Sequence, residues 1–149
     1  MLILVNFGHP AHVHLFKNFV WQMEKKGHRF IFTHTKKDIN EQLINKYNFN
    51  SVRIADSTKG IIQKIGKLIR SQKEIYKIVV KEKPDLLMGV ASGSVTHVGK
   101  LRGIPTMIMD DTEISKFEIF LYKYFATKVL TPNCFLKDIG SSQVRYNGY

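Results

Sequence analysis

The chain is 149 residues long, 44% hydrophobic and 23% charged, values of one soluble globular domain with a proper core rather than of a disordered or fibrous chain. No apolar run approaches the roughly 18 residues needed to cross a bilayer, and no basic segment or small-residue cleavage site flanks the first apolar run, so neither a membrane span nor a secretory signal is expected. The net charge of +11 favours anionic partners: nucleic acid, an acidic membrane surface or a phosphorylated substrate. In chain order, Leu2–Phe7 is an apolar run that reads as a buried strand, Gly8-His9-Pro10-Ala11-His12 as a tight loop, and Val13–Lys26 as an amphipathic helix closed by Gly27. Arg29–His34 reads as a second strand, Lys37–Tyr47 as a helix with Asp38 near its start, Asn48–Asn50 as a turn and Ser51–Ala55 as a third strand. Asp56–Gly60 is a polar loop. Ile61–Glu82 is the longest periodic segment, with apolar residues at 61, 62, 65, 68, 69, 75, 76, 79 and 80 on one helical face, and Pro84 stops it.

Leu86–Ala91 is a continuous apolar strand, Ser92-Gly93-Ser94 a turn, and a helix follows to about Leu101. Gly103-Ile104-Pro105 precedes a strand at Thr106–Met109, and Asp110-Asp111-Thr112-Glu113 forms an acidic loop at its end. A helix then runs to about Phe125, Lys128–Thr131 is a sixth strand, Pro132-Asn133 opens a short helix to about Ile139, and Val144–Tyr146 is a last strand. The lone cysteine, Cys134, is expected as a semi-buried thiol near that helix start, without an internal disulfide, which suits a reducing compartment. Strands apolar on both sides and joined by helices imply an α/β fold: a Rossmann-like parallel sheet with helices on both faces. In such a sheet ligands bind beyond the carboxyl ends of the strands.

Four features there could carry chemistry. In the first loop, His12 near a helix start could donate to a phosphate or act as a general base, with Gly8 and His9 beside the ligand; the alternatives are capping by the histidines, or a metal bound by His9, His12 and His14, whose spacing matches no strong zinc signature. No GxGxxG and no Walker sequence is present, which disfavours those routes to dinucleotide or ATP binding. Ser92, Gly93 and Ser94 permit close approach of a ligand and offer N–H groups and hydroxyls, or form a plain strand-to-helix turn. Asp110, Asp111 and Glu113 put three carboxylates in four residues, a crowding that raises at least one pKa and suits acid/base work or binding of sugar hydroxyls; the alternative is helix capping by Asp111 or Thr112. Between Lys59 and Lys83 eight Lys or Arg stand against two Glu, so the long helix is either a solvated helix packed on the sheet or a surface for anionic lipid headgroups. Trp21 is a core or rim residue of the first helix.

Taken in register, these motifs resemble the N-terminal half of GT-B glycosyltransferase-like proteins. The resemblance rests on His9-Pro-Ala-His-Val-His-Leu-Phe16 followed by Glu24-Lys-Lys-Gly-His28, on Lys83-Pro-Asp85 before the strand that leads to Ser92-Gly93, on Gly103-Ile-Pro105, on Ala126-Thr-Lys-Val-Leu-Thr-Pro132, and on Asn147-Gly-Tyr149. It extends more distantly to MurG, the peptidoglycan N-acetylglucosaminyltransferase, and to the non-hydrolysing UDP-N-acetylglucosamine 2-epimerases. Two departures stand out: Gly8-His9-Pro10-Ala11 replaces MurG's glycine-rich first loop, and Asp110–Glu113 replaces a His-Glu-Gln-Asn-like loop. The resemblance implies that residues 1–149 form the acceptor-side domain, with the nucleotide-sugar domain absent from the chain, which would be inactive alone. It implies transfer of a sugar from a nucleotide-sugar substrate to a sugar or lipid-phosphate acceptor of the cell envelope or a polysaccharide. No metal or cofactor is expected. His12, Asp111 and Glu113 would be catalytic, and Gly8, His9, Ser92, Gly93, Ser94 and Asp110 would bind ligand. The expected location is cytoplasmic, peripheral at the membrane face, with a second chain or domain carrying the donor site. Alternatives are a sugar-nucleotide 2-epimerase half and a non-catalytic subunit that recruits a donor-binding chain. A nucleic-acid partner is not expected, because no helix-turn-helix, RNA-recognition or zinc-finger signature occurs.

Overall fold

The apolar residues from Leu2 to Phe7 form β1, and their alternation decides the layering. Ile3, Val5 and Phe7 enter one hydrophobic core and Leu4 the other, so the strand is covered on both faces. The computed structural model describes residues 1–36, 39–56 and 61–148. It continues through α1 (Pro10–Lys25), β2 (Arg29–Lys36), α2 (Asn40–Lys46), β3 (Ser51–Asp56), α3 (Ile61–Glu82), β4 (Leu86–Val90), α4 (Gly93–Arg102), β5 (Thr106–Met109), α5 (Lys116–Lys123), β6 (Lys128–Pro132) and β7 (Gln143–Tyr146). The strands form one parallel sheet in the order β3-β2-β1-β4-β5-β6-β7, with β1 at the point where the strand order reverses. That arrangement is the expected Rossmann-like α/β fold with helices on both faces.

The face under α1 and α2 is aromatic. Phe7 stacks on Phe32 at 5.4 Å and Phe32 on Phe49 at 4.6 Å, while Phe16 and Val20 of α1 close over them. Trp21 sits at the rim of this core, against Tyr47 and Phe49. The opposite face is covered by α3, α4 and α5, whose Ile75, Val79, Val95, Val98, Ile119 and Tyr122 meet Leu4, Leu87 and Ile108. Asp85 anchors the sheet's lower edge: its carboxylate accepts from the Leu2 N–H at 2.7 Å, and its own N–H donates to the Leu2 carbonyl.

Close approach requires glycine at two points. A Cβ on Gly99 would stand 2.1 Å from Thr106 Cγ2, and one on Gly93 would stand 2.8 Å from Leu121 Cβ. The first lets α4 lie directly on β5. The second lets the start of α4 lie directly on α5.

Several boundaries differ from the sequence reading. α1 begins at Pro10 rather than Val13, because Pro10 takes the first turn and His9 caps the helix, its Nδ1 accepting from the Ala11 N–H at 3.2 Å. α2 begins at Asn40; Lys37 and Asp38 lie outside the described residues, as do Ser57–Gly60 and Tyr149. The short helix expected from Pro132-Asn133 to Ile139 does not form. The Arg145 guanidinium donates to the Phe135 carbonyl and the Gln143 amide to the Lys137 carbonyl, so side chains of β7 hold carbonyls that a helix would have used. Cys134 is accordingly exposed in a turn rather than semi-buried at a helix start. Among the described residues no helix is long and apolar enough to cross a membrane.

Gly99→Ala is expected to destabilise the domain by about 2 kcal/mol, since the added methyl must displace β5. Thermal unfolding should show a midpoint lowered by roughly 6 °C.

Candidate functional site

Parity along β1 turns Asn6 toward the α3–α4–α5 side, where a polar chain links β2, β1 and the start of α4. Thr33 Oγ1 donates to Asn6 Oδ1 at 3.1 Å, and Asn6 Nδ2 donates to Ser92 Oγ at 3.1 Å. Ser92 is thereby held at the start of α4, and its own hydroxyl hydrogen remains available to a ligand. Ala91, just before it, adopts a left-handed φ of 44° with its N–H on the Met109 carbonyl, which turns the chain from β4 into α4 within one residue.

Above this turn lies a cavity of about 220 Å³ at the carboxyl ends of β1, β2 and β4. Gly8 and the segment from Val90 to Ser94 form its floor. Lys67, Leu68 and Ser71 of α3 form one wall, and Phe117, Glu118 and Leu121 of α5 the other. The first amides of α4, with the positive end of its dipole, border the same space. Two hydroxyls in the lining stand out. Ser71 is 4% exposed and Ser94 8% exposed, and neither side chain hydrogen-bonds to another described residue. Both line the cavity, so their hydroxyls are within reach of a polar molecule bound there.

The predicted site residues separate into three groups. Gly8, Ser92, Gly93 and Ser94 line the cavity. His12 stands behind Gly8: its Nδ1 accepts from the Gly8 N–H at 3.2 Å, and its Cε1 would lie 3.5 Å from a Cβ at that position. With Nδ1 accepting, the neutral tautomer of His12 carries its proton on Nε2. His9 caps α1, its ring 6.0 Å from that of His12, and His14 points elsewhere, onto the Tyr47 hydroxyl at 3.3 Å. Among the described residues no three His, Cys, Asp or Glu side chains converge as metal ligands would.

The acidic loop forms the third group, and the structure disperses it. Asp110 is 3% exposed; it accepts from the Tyr122 hydroxyl and, at 3.1 Å, from the Thr112 N–H. Asp111 is exposed and accepts from the Thr112 hydroxyl at 3.0 Å, and Glu113 accepts from the Leu136 N–H. None of the three lines the cavity. Neither Asp111 nor Thr112 caps α5, whose N-cap position is Ser115. Burial, more than the neighbouring Asp111 charge, pushes the Asp110 carboxyl above its ordinary value, and burial beside Asp110 pushes the Tyr122 hydroxyl far above the tyrosine range. Sequence reasoning missed Asn6, Thr35, Lys67, Leu68, Ser71, Phe117, Glu118 and Leu121. Asn6 alone had a clear signal, a polar residue inside an apolar strand. Ser71 had a weaker one, a small polar residue on the core-facing stripe that also holds Ile75 and Val79.

Because the folded state raises the Asp110 pKa above the ordinary 3.8, the proton is bound more tightly when folded. The stabilisation is full below 3.8 and is lost as pH rises through the raised value. Asp110→Asn does not titrate, so urea unfolding from pH 4 toward neutrality should show the native protein losing stability relative to the variant. A stability difference constant across that range would contradict the assignment.

Known proteins share this architecture. The family described as "Protein of unknown function (DUF354)" matches residues 1–147. No curated protein sequence matches the chain. Among solved structures, Acinetobacter baumannii MurG superposes with a TM-score of 0.72 at 18% identity, over 92% of this chain and 43% of its own. The glycosyltransferase SsfS6 of Streptomyces sp. SF2575 gives 0.70 at 15% identity, over 99% and 56%, and the Methanocaldococcus jannaschii UDP-GlcNAc 2-epimerase 0.66 at 16%, over 89% and 39%. The chain thus spans roughly half the length of these structures or less, and the likeness establishes a GT-B-like fold. By its match over nearly every residue, the chain belongs to the DUF354 family.

Proposed function

We propose that the cavity is the acceptor subsite of a nucleotide-sugar-dependent glycosyl transfer, and that this domain supplies the acceptor side of the reaction. The observation that carries the reading is the placement of two serine side chains, Ser71 and Ser94, in the lining of a cavity beside the amino end of α4 at the strand-order reversal of a GT-B-like domain. The fold shared with MurG and with SsfS6 supports it. In this reading an acceptor hydroxyl attacks the anomeric carbon of the donor sugar. The bond from that carbon to the diphosphate oxygen breaks, the nucleotide diphosphate leaves, and the hydroxyl proton passes to a base. Glu118 is the carboxylate of the lining and takes that proton. His12, with its Nε2–H, donates to an anionic oxygen of the leaving group. Ser92, Ser94 and the α4 amides orient the acceptor. Asp111 and Glu113, outside the lining, take no part in binding the acceptor. The acceptor belongs to the cell envelope or to a polysaccharide, and the donor nucleotide is held mainly by a second domain or chain.

The test uses the full-length protein with a panel of radiolabelled UDP- and dTDP-sugars and a cell-envelope extract as acceptor pool. Sugar incorporation is expected. Ser94→Val should lower it about a hundredfold without changing the KM for the donor. Calorimetric titration of residues 1–149 with UDP-N-acetylglucosamine should show a Kd weaker than about 1 mM. Tight binding would put the donor in this domain and overturn the reading. The epimerase structures among the matches favour a second reading. It predicts conversion of UDP-N-acetylglucosamine to its C2 epimer with no acceptor present.

A further inference from the structure

The periodicity of α3 describes an apolar sector wider than the sheet covers. Ile75 and Val79 are buried in the core and Leu68 and Ile78 half-buried, but Ile65, Ile69, Tyr76 and Val80 face out, Ile69 with 60% of its surface exposed. Beside them Leu101, near the end of α4, is 72% exposed, and Ile69, Tyr76 and Leu101 share a shallow hollow of about 300 Å³. Beyond α4 the pattern repeats. α5 buries Ile119 and Tyr122 and turns Phe120 and Tyr124 outward, Phe120 with 62% exposed.

His97 joins these surfaces into one face. Its Nδ1 meets the Gln72 side-chain amide at 2.5 Å, its Nε2 meets the Leu121 carbonyl at 2.7 Å, and its ring lies 4.5 Å from that of Phe125. Cations are interleaved with the apolar groups. The Arg102 guanidinium lies 5.7 Å from the Tyr76 ring, the Lys123 ammonium 4.5 Å from the Tyr124 ring, and Lys73 borders the hollow.

We propose that the outer face of the α3–α4–α5 layer docks on an anionic lipid surface. Water solvates the cations but leaves the apolar side chains exposed. A second copy would set lysines against lysines in a chain whose net charge is already +11. An anionic bilayer surface satisfies both components: its phosphates meet Lys73, Arg102 and Lys123, while Leu101 and Phe120 enter the acyl boundary. The candidate cavity opens at the amino end of α4 and Leu101 lies near the carboxyl end, so docking leaves the cavity beside the membrane surface. The proposal is separate from glycosyl transfer, because lipid binding is read without any sugar nucleotide.

The test is cosedimentation of the protein with vesicles of phosphatidylglycerol mixed with phosphatidylcholine, and with phosphatidylcholine alone. Binding is expected to the anionic vesicles only, falling steeply with added salt. Leu101→Glu and Phe120→Glu should each lower the partition coefficient about tenfold. Leu15→Glu, an exposed position on α1 across the sheet, should leave it unchanged. All three sites are exposed, and unchanged melting temperatures would show that the variants fold. Equal binding to neutral vesicles, or an equal loss with Leu15→Glu, would overturn the proposal. So would retention on duplex DNA in place of vesicles, or a lipid-free dimer abolished by Leu101→Glu.

Discussion

The side-chain amide of Asn6 is the constraint on which the rest of the site is built. It is a buried polar group in the central strand, and burial leaves it no solvent to compensate a lost partner. Thr33 on β2 and Ser92 at the start of α4 supply those partners from either side. The same amide therefore fixes the relative height of three neighbouring chain segments and the point at which β4 gives way to α4. A shift of one residue in either strand pairing would turn it into a hydrophobic core and orphan both hydroxyls.

From that point the architecture of the cavity follows by parity. Residues of β1 with the parity of Leu4 face α3, α4 and α5, so the polar end of β1 meets helices that come much later in the chain. Lys67 and Ser71 on one side, and Glu118 and Leu121 on the other, converge only because α3 and α5 flank α4 over the same face.

That geometry explains what could be read in the sequence. The central strands β1 and β4 were legible because they are buried on both faces and appear as nearly unbroken apolar runs, with Pro84 and Gly103 marking where helices stop. Gly8 and Ser92–Ser94 were legible because they follow such runs directly. The start of α1 was misplaced because His9 is an uncommon cap. The segment after Pro132 looked helical because the competing partners of its carbonyls, Gln143 and Arg145, lie in the next strand. Ser71 and Glu118 stayed hidden for a related reason: their role depends on which helices share a face, and no local spacing records it. The acidic loop shows the opposite error. Its carboxylates are adjacent in sequence, yet Tyr122, Thr112 and Leu136 draw them onto separate partners. For α3, periodicity disclosed an apolar sector but not how much of it the sheet would cover.

The bare backbone of Gly93 against Leu121 has a consequence for selectivity. The gap between α4 and α5 is set there by the Gly93 backbone facing Leu121 Cβ, an atom that no rotamer change moves. The aperture behaves as a fixed gauge: a molecule that is too broad cannot be accommodated by a local rearrangement, and discrimination by girth is built into the scaffold before any polar group is consulted.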